Sequence, residues 1–470
     1  MRRCTTSDGA LSTLPFYPDG IAASLTVFDV EELRDDKMVA LLVLVNDAES
    51  TAPSGIANMS QHAARARVES HWSTNDADHD ESGWQPCQMR IRTCCWSQCC
   101  KQSTCAVADV INGQRTEQLR TMGTLLCPAA KGVDRPRRLR LRAAGGHHST
   151  PTTTIRLCYN DDGSSDSSSG GSSSMISSSK THGLSLGVCV RPLYTSSRMT
   201  GFRPEAAILH TWIAYHTQMG ADRLYLHDRP SEPNASHSVP TLRALVEPEL
   251  ARNARARAIV RVKTVAHIAG VLAYRQYNDQ YDQLIVMAGC LMNARRDGLA
   301  FVLNADYDEY VQFAPHHASF HDAMWMALRA CGDGGHHHES GNHLAAASST
   351  TTTATNTRVF ASAGLWLQRA TVSNASRPGG LRGAFDFING KTILSSRLAA
   401  LPLESGYSVH KICEAGAMPQ GVRAPMKCKA GPNELWLDHL VDAYSPRSGS
   451  MLSTVLAPAQ VQVDRDRSKA

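Results

Sequence analysis

Residues 161–180, DDGSSDSSSGGSSSMISSSK, set the first limit on how this chain folds. A Ser/Gly run with almost no apolar side chains cannot bury enough area to offset its ordering entropy, so it reads as a flexible linker. The 470-residue chain therefore has to build its cores on either side, and its 42% of hydrophobic residues suffice for two or three domains. The expected division is an irregular segment at 1–20, a small sandwich-like antiparallel β module at 21–160, and the Ser/Gly linker at 161–181. A larger α/β domain at 182–448, carrying a low-complexity insert at 332–357, and a tail at 449–470 complete it.

Ahead of the linker the periodicity is that of short strands. IAASLTVFDV and KMVALLVLV lie within residues 21–45, and the polar stretch 47–85 reads as loop. Cys87, Cys94, Cys95, Cys99, Cys100 and Cys105 crowd around Trp96. Structural zinc pairs its cysteines as C-x₂₋₄-C at a fixed distance from a second pair, and that pattern is incomplete here, so disulfides or plain thiols are expected. A disulfide from Cys127 to this cluster would support a core that is thin for its length. Arg138, Arg140 and Arg142 alternate with leucines, which predicts a solvated edge strand with one basic face.

After the linker the pattern changes. Residues 184–194 read as a buried strand, 204–220 as a helix with Ile208, Trp212, Tyr215 and Met219 on one side, and 221–227 as a second strand. A strand, a helix and a strand imply a right-handed crossover into a parallel sheet, with Asp228 at the second strand's carboxyl end. Helices near 241–251, 274–295 and 318–330 and strands at 258–265 and 358–368 continue the alternation.

The chemistry concentrates at residues 299–313, LAFVLNADYDEYVQF. An apolar strand runs into Asp306, Asp308 and Glu309, while Tyr310, Val311 and Phe313 bury the far flank. Ligands of open α/β sheets collect at the carboxyl ends of strands, and a D-x-D there offers hard oxygens to Mg²⁺ or Mn²⁺ while diphosphate oxygens take the remaining positions. The same D-x-D spacing at Asp76, Asp78 and Asp80 and at Asp464 and Asp466 has no strand before it and reads as solvated loop. His336, His337 and His338 lie in the Ser/Thr-rich insert and read as solvated too.

The formal net charge of +5 is spread along the chain apart from the arginines at 135–142, so no nucleic-acid partner is expected. Fourteen cysteines and sequons at Asn58, Asn234 and Asn374 point to an oxidising, secretory setting. Neither signal peptide nor membrane anchor is visible, so the chain is soluble or its true start lies elsewhere.

From about residue 183 to 448 the order of elements resembles glycosyltransferase family 92, the β-galactosyltransferase-like group of the GT-A superfamily. The resemblance is carried by LGVCVRPLY, by the run from Trp212 to Asp228, and by Cys290 before FVLNADYDEY. GKTIL at 390–394, His410, and His439, Tyr444, Arg447 and Ser448 continue it. Thr211 replaces a usual Glu, His227 precedes Asp228 where the family has Tyr, and the terminal His-Tyr pair is stretched over 439–444.

The resemblance implies a GT-A-like, Rossmann-like mixed sheet with flanking helices and an inverting transfer of a sugar, galactose by family, from a UDP-sugar to an oligosaccharide or polysaccharide acceptor. A Golgi or secretory location and membrane association follow from the family alone. Asp306 and Asp308, with His439 as a late ligand, would hold Mn²⁺ or Mg²⁺. Lys391 would steady the diphosphate, or be an ordinary exposed lysine. Asp228 would lie near the donor's base or ribose, or merely begin a loop. An inverting mechanism requires a carboxylate base, for which Asp386, Glu404 and Glu414 are candidates, while Glu309 either serves or orients the site. Trp366 either stacks on the acceptor or belongs to the core. A glycan-binding relative without turnover is the alternative function.

Overall fold

The computed structural model describes residues 2–3, 12–16, 23–33, 38–47, 67–73, 83–92, 108–111, 114–117, 120–130, 138–144, 151–158, 184–190, 193, 206–228, 241–264, 279–333, 363–372, 382–396, 426–431 and 434–440. The linker 161–181, the cysteines from Cys94 to Cys105, His336–His338, Glu404, His410, Glu414, Tyr444 and Arg447 lie outside them.

Period-two alternation builds the first sheet. Its strands are β1 (Arg2–Arg3), β2 (Ser12–Phe16), β3 (Ala23–Leu33), β4 (Met38–Asp47), β5 (Val68–Ser73) and β6 (Gln85–Arg92), with β7 (Ala108–Ile111) and β8 (Gln114–Glu117) forming a separate hairpin. β9 (Arg120–Pro128), β10 (Arg138–Ala143) and β11 (Thr152–Cys158) complete the set. They pair antiparallel in the order β1-β11-β10-β5-β6-β9-β4-β3-β2. Leu139 and Leu141 of β10, Ile155 of β11, Val39, Leu41 and Val43 of β4 and Leu125 of β9 point into one core. Ser12 Oγ donates to the Thr154 carbonyl at 3.3 Å, so the β2 end curls round to β11 and the sheet nearly closes. A Cys87–Cys127 disulfide fastens β6 to β9. The basic strand β10 runs inside the sheet, between β11 and β5, and not along an edge. Residues 12–16, expected to be irregular, form the closing strand β2 because Leu14 supplies a buried core side chain.

The second sheet begins with four parallel strands, β12 (Leu186–Val190), β13 (Arg223–Asp228), β14 (Val260–Thr264) and β15 (Phe301–Ala305), in the order β14-β13-β12-β15. Between them run helices α1 (Ala206–Met219), α2 (Leu242–Arg252), α3 (Ala254–Ile259) and α4 (Asp279–Arg296). After β15 come β16 (Glu309–Phe313), α5 (Phe320–Asp333), β17 (Ala363–Val372), β18 (Arg382–Ser395), β19 (Met426–Lys429) and β20 (Leu435–Leu440). They extend the ladder as β15-β18-β17-β20-β16, with β19 beside β17. A Cys189–Cys290 disulfide ties β12 to α4.

The α/β, GT-A-like class read from the sequence does not hold for this chain. Twenty strands face five helices among the described residues, nine in a nearly closed antiparallel sheet, nine in a second, curled mixed sheet and two in the β7–β8 hairpin. Alternation of strands and helices over 184–305 is real, but it supplies only four parallel strands. The strands before the linker form a nine-stranded sheet where a small sandwich-like module was expected, and those after β15 mix antiparallel pairs, β15–β18, β18–β17 and β16–β20, with parallel ones, β17–β19 and β17–β20.

The curl of the second sheet follows from chain length. β15 and β16 are joined by Asp306, Tyr307 and Asp308 alone, yet three strands stand between them in the ladder. Four Cα steps reach about 14 Å. Four interstrand gaps on a flat sheet would need about 19 Å. The ladder must therefore bend, and it carries β18, β17 and β20 around the Asp306–Asp308 turn.

The two sheets meet across α4. Phe28 and Leu42 pack against the helix at Gly289, where an added Cβ would stand 3.9 Å from both, an ordinary contact distance. This second contact explains why β4 is apolar on both faces. Asp29 is buried at the junction, its Oδ2 2.7 Å from Arg296 Nη2 and 3.4 Å from Lys263 Nζ, while its Oδ1 accepts the Val30 N–H at 2.9 Å. Burial pushes the Asp29 carboxyl up, but the two cations and the hydrogen bonds outweigh it and hold its pKa down at about 2. A depressed folded-state pKa stabilises above the unfolded value and is lost as pH falls through the folded one. Asp29 should thus contribute about 2 kcal/mol at neutral pH that disappears between about pH 4 and pH 2. Urea unfolding of Asp29→Asn is expected to show a stability deficit at neutral pH that closes across this acid window. An undiminished gap at low pH would exclude the ionic contribution.

Candidate functional site

The acid turn is built from β15 outwards. Phe301 to Ala305 are all buried, so the strand is held on both faces and delivers Asp306 at a fixed point on its carboxyl edge. Glu309 folds back into the turn, where its Oε2 accepts the Asp306 N–H at 2.8 Å. This closes the loop much as a side-chain cap closes a helix end.

The curled strands then bring in three basic side chains. Lys391 of β18 is fully buried, with its Nζ 3.1 Å from Asp306 Oδ2 and 3.6 Å from Glu309 Oε2. Arg369 of β17 places Nη1 3.6 Å from Glu309 Oε1. His439 of β20 lies opposite Glu309 in the β16–β20 register, and its Nε2 is 3.2 Å from Asp308 Oδ2. Burial raises the Glu309 carboxyl's pKa, Lys391 pulls it back and the neighbouring aspartates raise it further; the net shift is upward. Burial by itself would lower the His439 pKa, but its bond to Asp308 prevails and holds it above the ordinary imidazole value.

Behind the turn, α1 secures β16. This strand ends the ladder, so its outward carbonyls need partners from elsewhere. Trp212 Nε1 donates to Glu309 O at 3.0 Å, and the Tyr215 hydroxyl donates to Val311 O. Residues three apart on a helix thus meet carbonyls two apart on a strand, which accounts for the W-x-x-Y spacing. His216 continues the packing, with its Nδ1 3.0 Å from Trp212 O and its pKa lowered by burial to about 4.

Of the residues singled out from the sequence, Asp306, Asp308, Glu309, Lys391 and His439 come together. Lys391 is not an exposed lysine. Asp228 sits on the same carboxyl edge, two strands from Asp306 and so about 10 Å across the ladder. Its Oδ2 accepts the Leu242 N–H at 3.1 Å, which anchors the start of α2. Asp386 pairs with Arg369 across β17 and β18, a register position beside the cluster. Glu309 is fully buried, which suits it to orienting the turn and removes it from contact with an acceptor hydroxyl. Trp366 is only 6% exposed and belongs to the core. A Cβ on Gly390 would strike both the Leu367 carbonyl and the Trp366 ring. Gly390→Ala is expected to cost about 1–3 kcal/mol by overpacking. A lowered thermal midpoint would register this, and an unchanged one would refute the crowding. Arg369 was missed in the sequence, where nothing marks one arginine in a strand as facing a carboxylate.

The residues fit a hard divalent cation at one place in this turn. Asp308 is 1% exposed, and its Oδ1 has no hydrogen-bond partner among the described residues. Its other oxygen faces His439. One carboxylate and one imidazole are a suitable protein share for Mg²⁺ or Mn²⁺, which take their remaining ligands from water and phosphates. Asp306 is turned towards Lys391, so the trio Asp306, Asp308 and His439 is not gathered on one point among the described residues. Asp308 and His439 are the better-placed pair.

No family model and no curated protein matches this chain. Among solved structures, apo UDP-glucose pyrophosphorylase aligns with 59% of this chain and 99% of its own, at 6% identity and a TM-score of 0.25, a likeness too slight to bear on fold or function.

Proposed function

We propose that the chain binds a nucleotide sugar through its diphosphate and transfers the sugar to a glycan acceptor, with a divalent cation held by Asp308 and His439. The observation that carries this reading is the buried Asp308 carboxylate, with one oxygen on His439 and the other unpartnered, at the carboxyl end of a parallel strand. A bound Mn²⁺ or Mg²⁺ would supply charge neutralisation for the departing nucleoside diphosphate. Lys391 holds Asp306 in place and adds positive charge beneath the turn. Glu309 fixes the turn through the Asp306 N–H, and Asp386, whose backbone stands opposite Arg369 in the β17–β18 register, is taken as the group that accepts the acceptor's proton. UDP as the nucleotide and galactose as the sugar rest on the family resemblance. Two disulfides, Cys87–Cys127 and Cys189–Cys290, suit a secretory location.

One observation favours a glycan-binding protein without turnover. Lys391 and Arg369 already compensate Asp306 and Glu309, so much of the cluster is neutralised by the protein itself. Calorimetric titration with UDP, with and without Mn²⁺, separates the two. Manganese-dependent binding is expected from the transferase, and a folded chain that binds glycans but no UDP would leave only the second reading.

A further inference from the structure

One other group of side chains among the described residues has metal-ligand chemistry. His316 and His317 follow β16, Glu434 precedes β20, and their ligand atoms all lie within 4.8 Å of one another. His316 Nε2 is 2.9 Å and His317 Nε2 2.7 Å from the same oxygen, Glu434 Oε2, and the two rings lie side by side with centroids 4.1 Å apart. We infer that His316, His317 and Glu434 form a site for a divalent transition ion of the zinc type, distinct from the acid turn and independent of the function proposed above.

Two imidazoles and a carboxylate suit a borderline ion, whereas the acid turn is richer in hard oxygen donors. In a tetrahedral site with bonds of about 2.0–2.1 Å, ligand atoms stand about 3.3 Å apart. The two imidazole–carboxylate separations, 2.9 and 2.7 Å, need to open by roughly half an ångström, a small adjustment on that scale. The side chains of His316 and Glu434 are 61% and 47% exposed and can give that movement. His317 is the fixed ligand. Its side chain is 6% exposed, and its second ring nitrogen, Nδ1, lies 3.5 Å from Asp322 Oδ2. A carboxylate on the far nitrogen of a ligating histidine sets its orientation and raises its basicity. Asp322 is itself held at the start of α5, where its Oδ2 accepts the Ala318 N–H at 3.2 Å and its own N–H donates to Ser319 Oγ at 3.1 Å. An ion here would tie the turn after β16 to the turn before β20, already joined by the Ala314 N–H to Glu434 carbonyl bond of 3.0 Å.

The test is calorimetric titration of metal-stripped full-length protein with Zn²⁺, in a background carrying His336→Ser, His337→Ser and His338→Ser to remove the histidine run. His316→Ala and Glu434→Gln are each expected to lose one zinc equivalent or weaken it by about tenfold or more, while Asp308→Asn retains it. X-ray absorption should report two imidazoles on that ion, and zinc should raise the thermal midpoint of the background protein but not of the variants. Should His316→Ala lower the midpoint before zinc is added, Glu434→Gln decides. Zinc binding unchanged in both variants, absent from the background protein, or without imidazole ligation would overturn the site.

Discussion

Lys391→Met is expected to destabilise the folded chain by about 3–5 kcal/mol at neutral pH. The lysine is fully buried and serves two carboxylates, Asp306 at 3.1 Å and Glu309 at 3.6 Å. A methionine fills a similar volume, so little of the cost comes from a cavity. It comes from leaving carboxylates in a site where burial already raises the Glu309 pKa. The sign of the pH dependence follows. A carboxyl whose folded-state pKa is raised favours the folded state most when protonated, and it loses that contribution as pH rises through the unfolded value towards the folded one. Removing Lys391 enlarges the upward shift, so the deficit should be greatest near neutral pH and shrink on mild acidification. Urea unfolding of both proteins at about pH 7.5 and about pH 5.5, above the range where Asp29 titrates, makes the comparison. An equal deficit at the two pH values would mean that Lys391 acts by packing alone.

Asp308→Asn is expected to abolish manganese-dependent UDP binding, weakening it by about 100-fold or more, while leaving the unfolding midpoint nearly unchanged. The amide preserves shape and can still accept a hydrogen bond from His439. It removes the negative charge that would hold a cation against the diphosphate. Calorimetry with UDP and Mn²⁺ reads the loss, and circular dichroism melts establish that the fold survives. A variant that binds as the native chain does would remove Asp308 from the cation site. An equal loss in Asp306→Asn with a retained fold would move the cation towards Lys391.

The local pieces of this site were legible because their signals are local. A run of five apolar residues ending in Asp306 and Asp308 reads as a buried strand with acids at its carboxyl end, and Trp212 and Tyr215 read as one face of a helix. Lys391 and His439 entered through resemblance, since neither carries a local sign of its partner. Arg369 was invisible for the same reason, being 60 residues from Glu309 in the chain. The cluster of His316, His317 and Glu434 carries no sign in the sequence, because the two histidines are an ordinary pair until Glu434 arrives from 117 residues away.

The fold class is not legible in the sequence for a related reason. Helix and strand periodicities over 184–305 are strong, and they drew the expectation towards a parallel α/β sheet. Strand pairing is a property of partners, and the pairs that decided the architecture, β2 with β3, β18 with β15 and β20 with β16, join segments whose own patterns do not say whom they meet.

By itself the sequence determined the alternation of strands and helices over 184–305 and which turn carries the acids, because these depend on side-chain period and composition over a few residues; it did not mark 12–16 or 68–73, read as irregular and as loop, as strands that place Leu14 and Val68 in a core. Only the tertiary structure decided that the second sheet curls. A three-residue link between β15 and β16 cannot span the flat ladder between them, and the bend it imposes is what places Lys391, Arg369 and His439 around Asp306, Asp308 and Glu309.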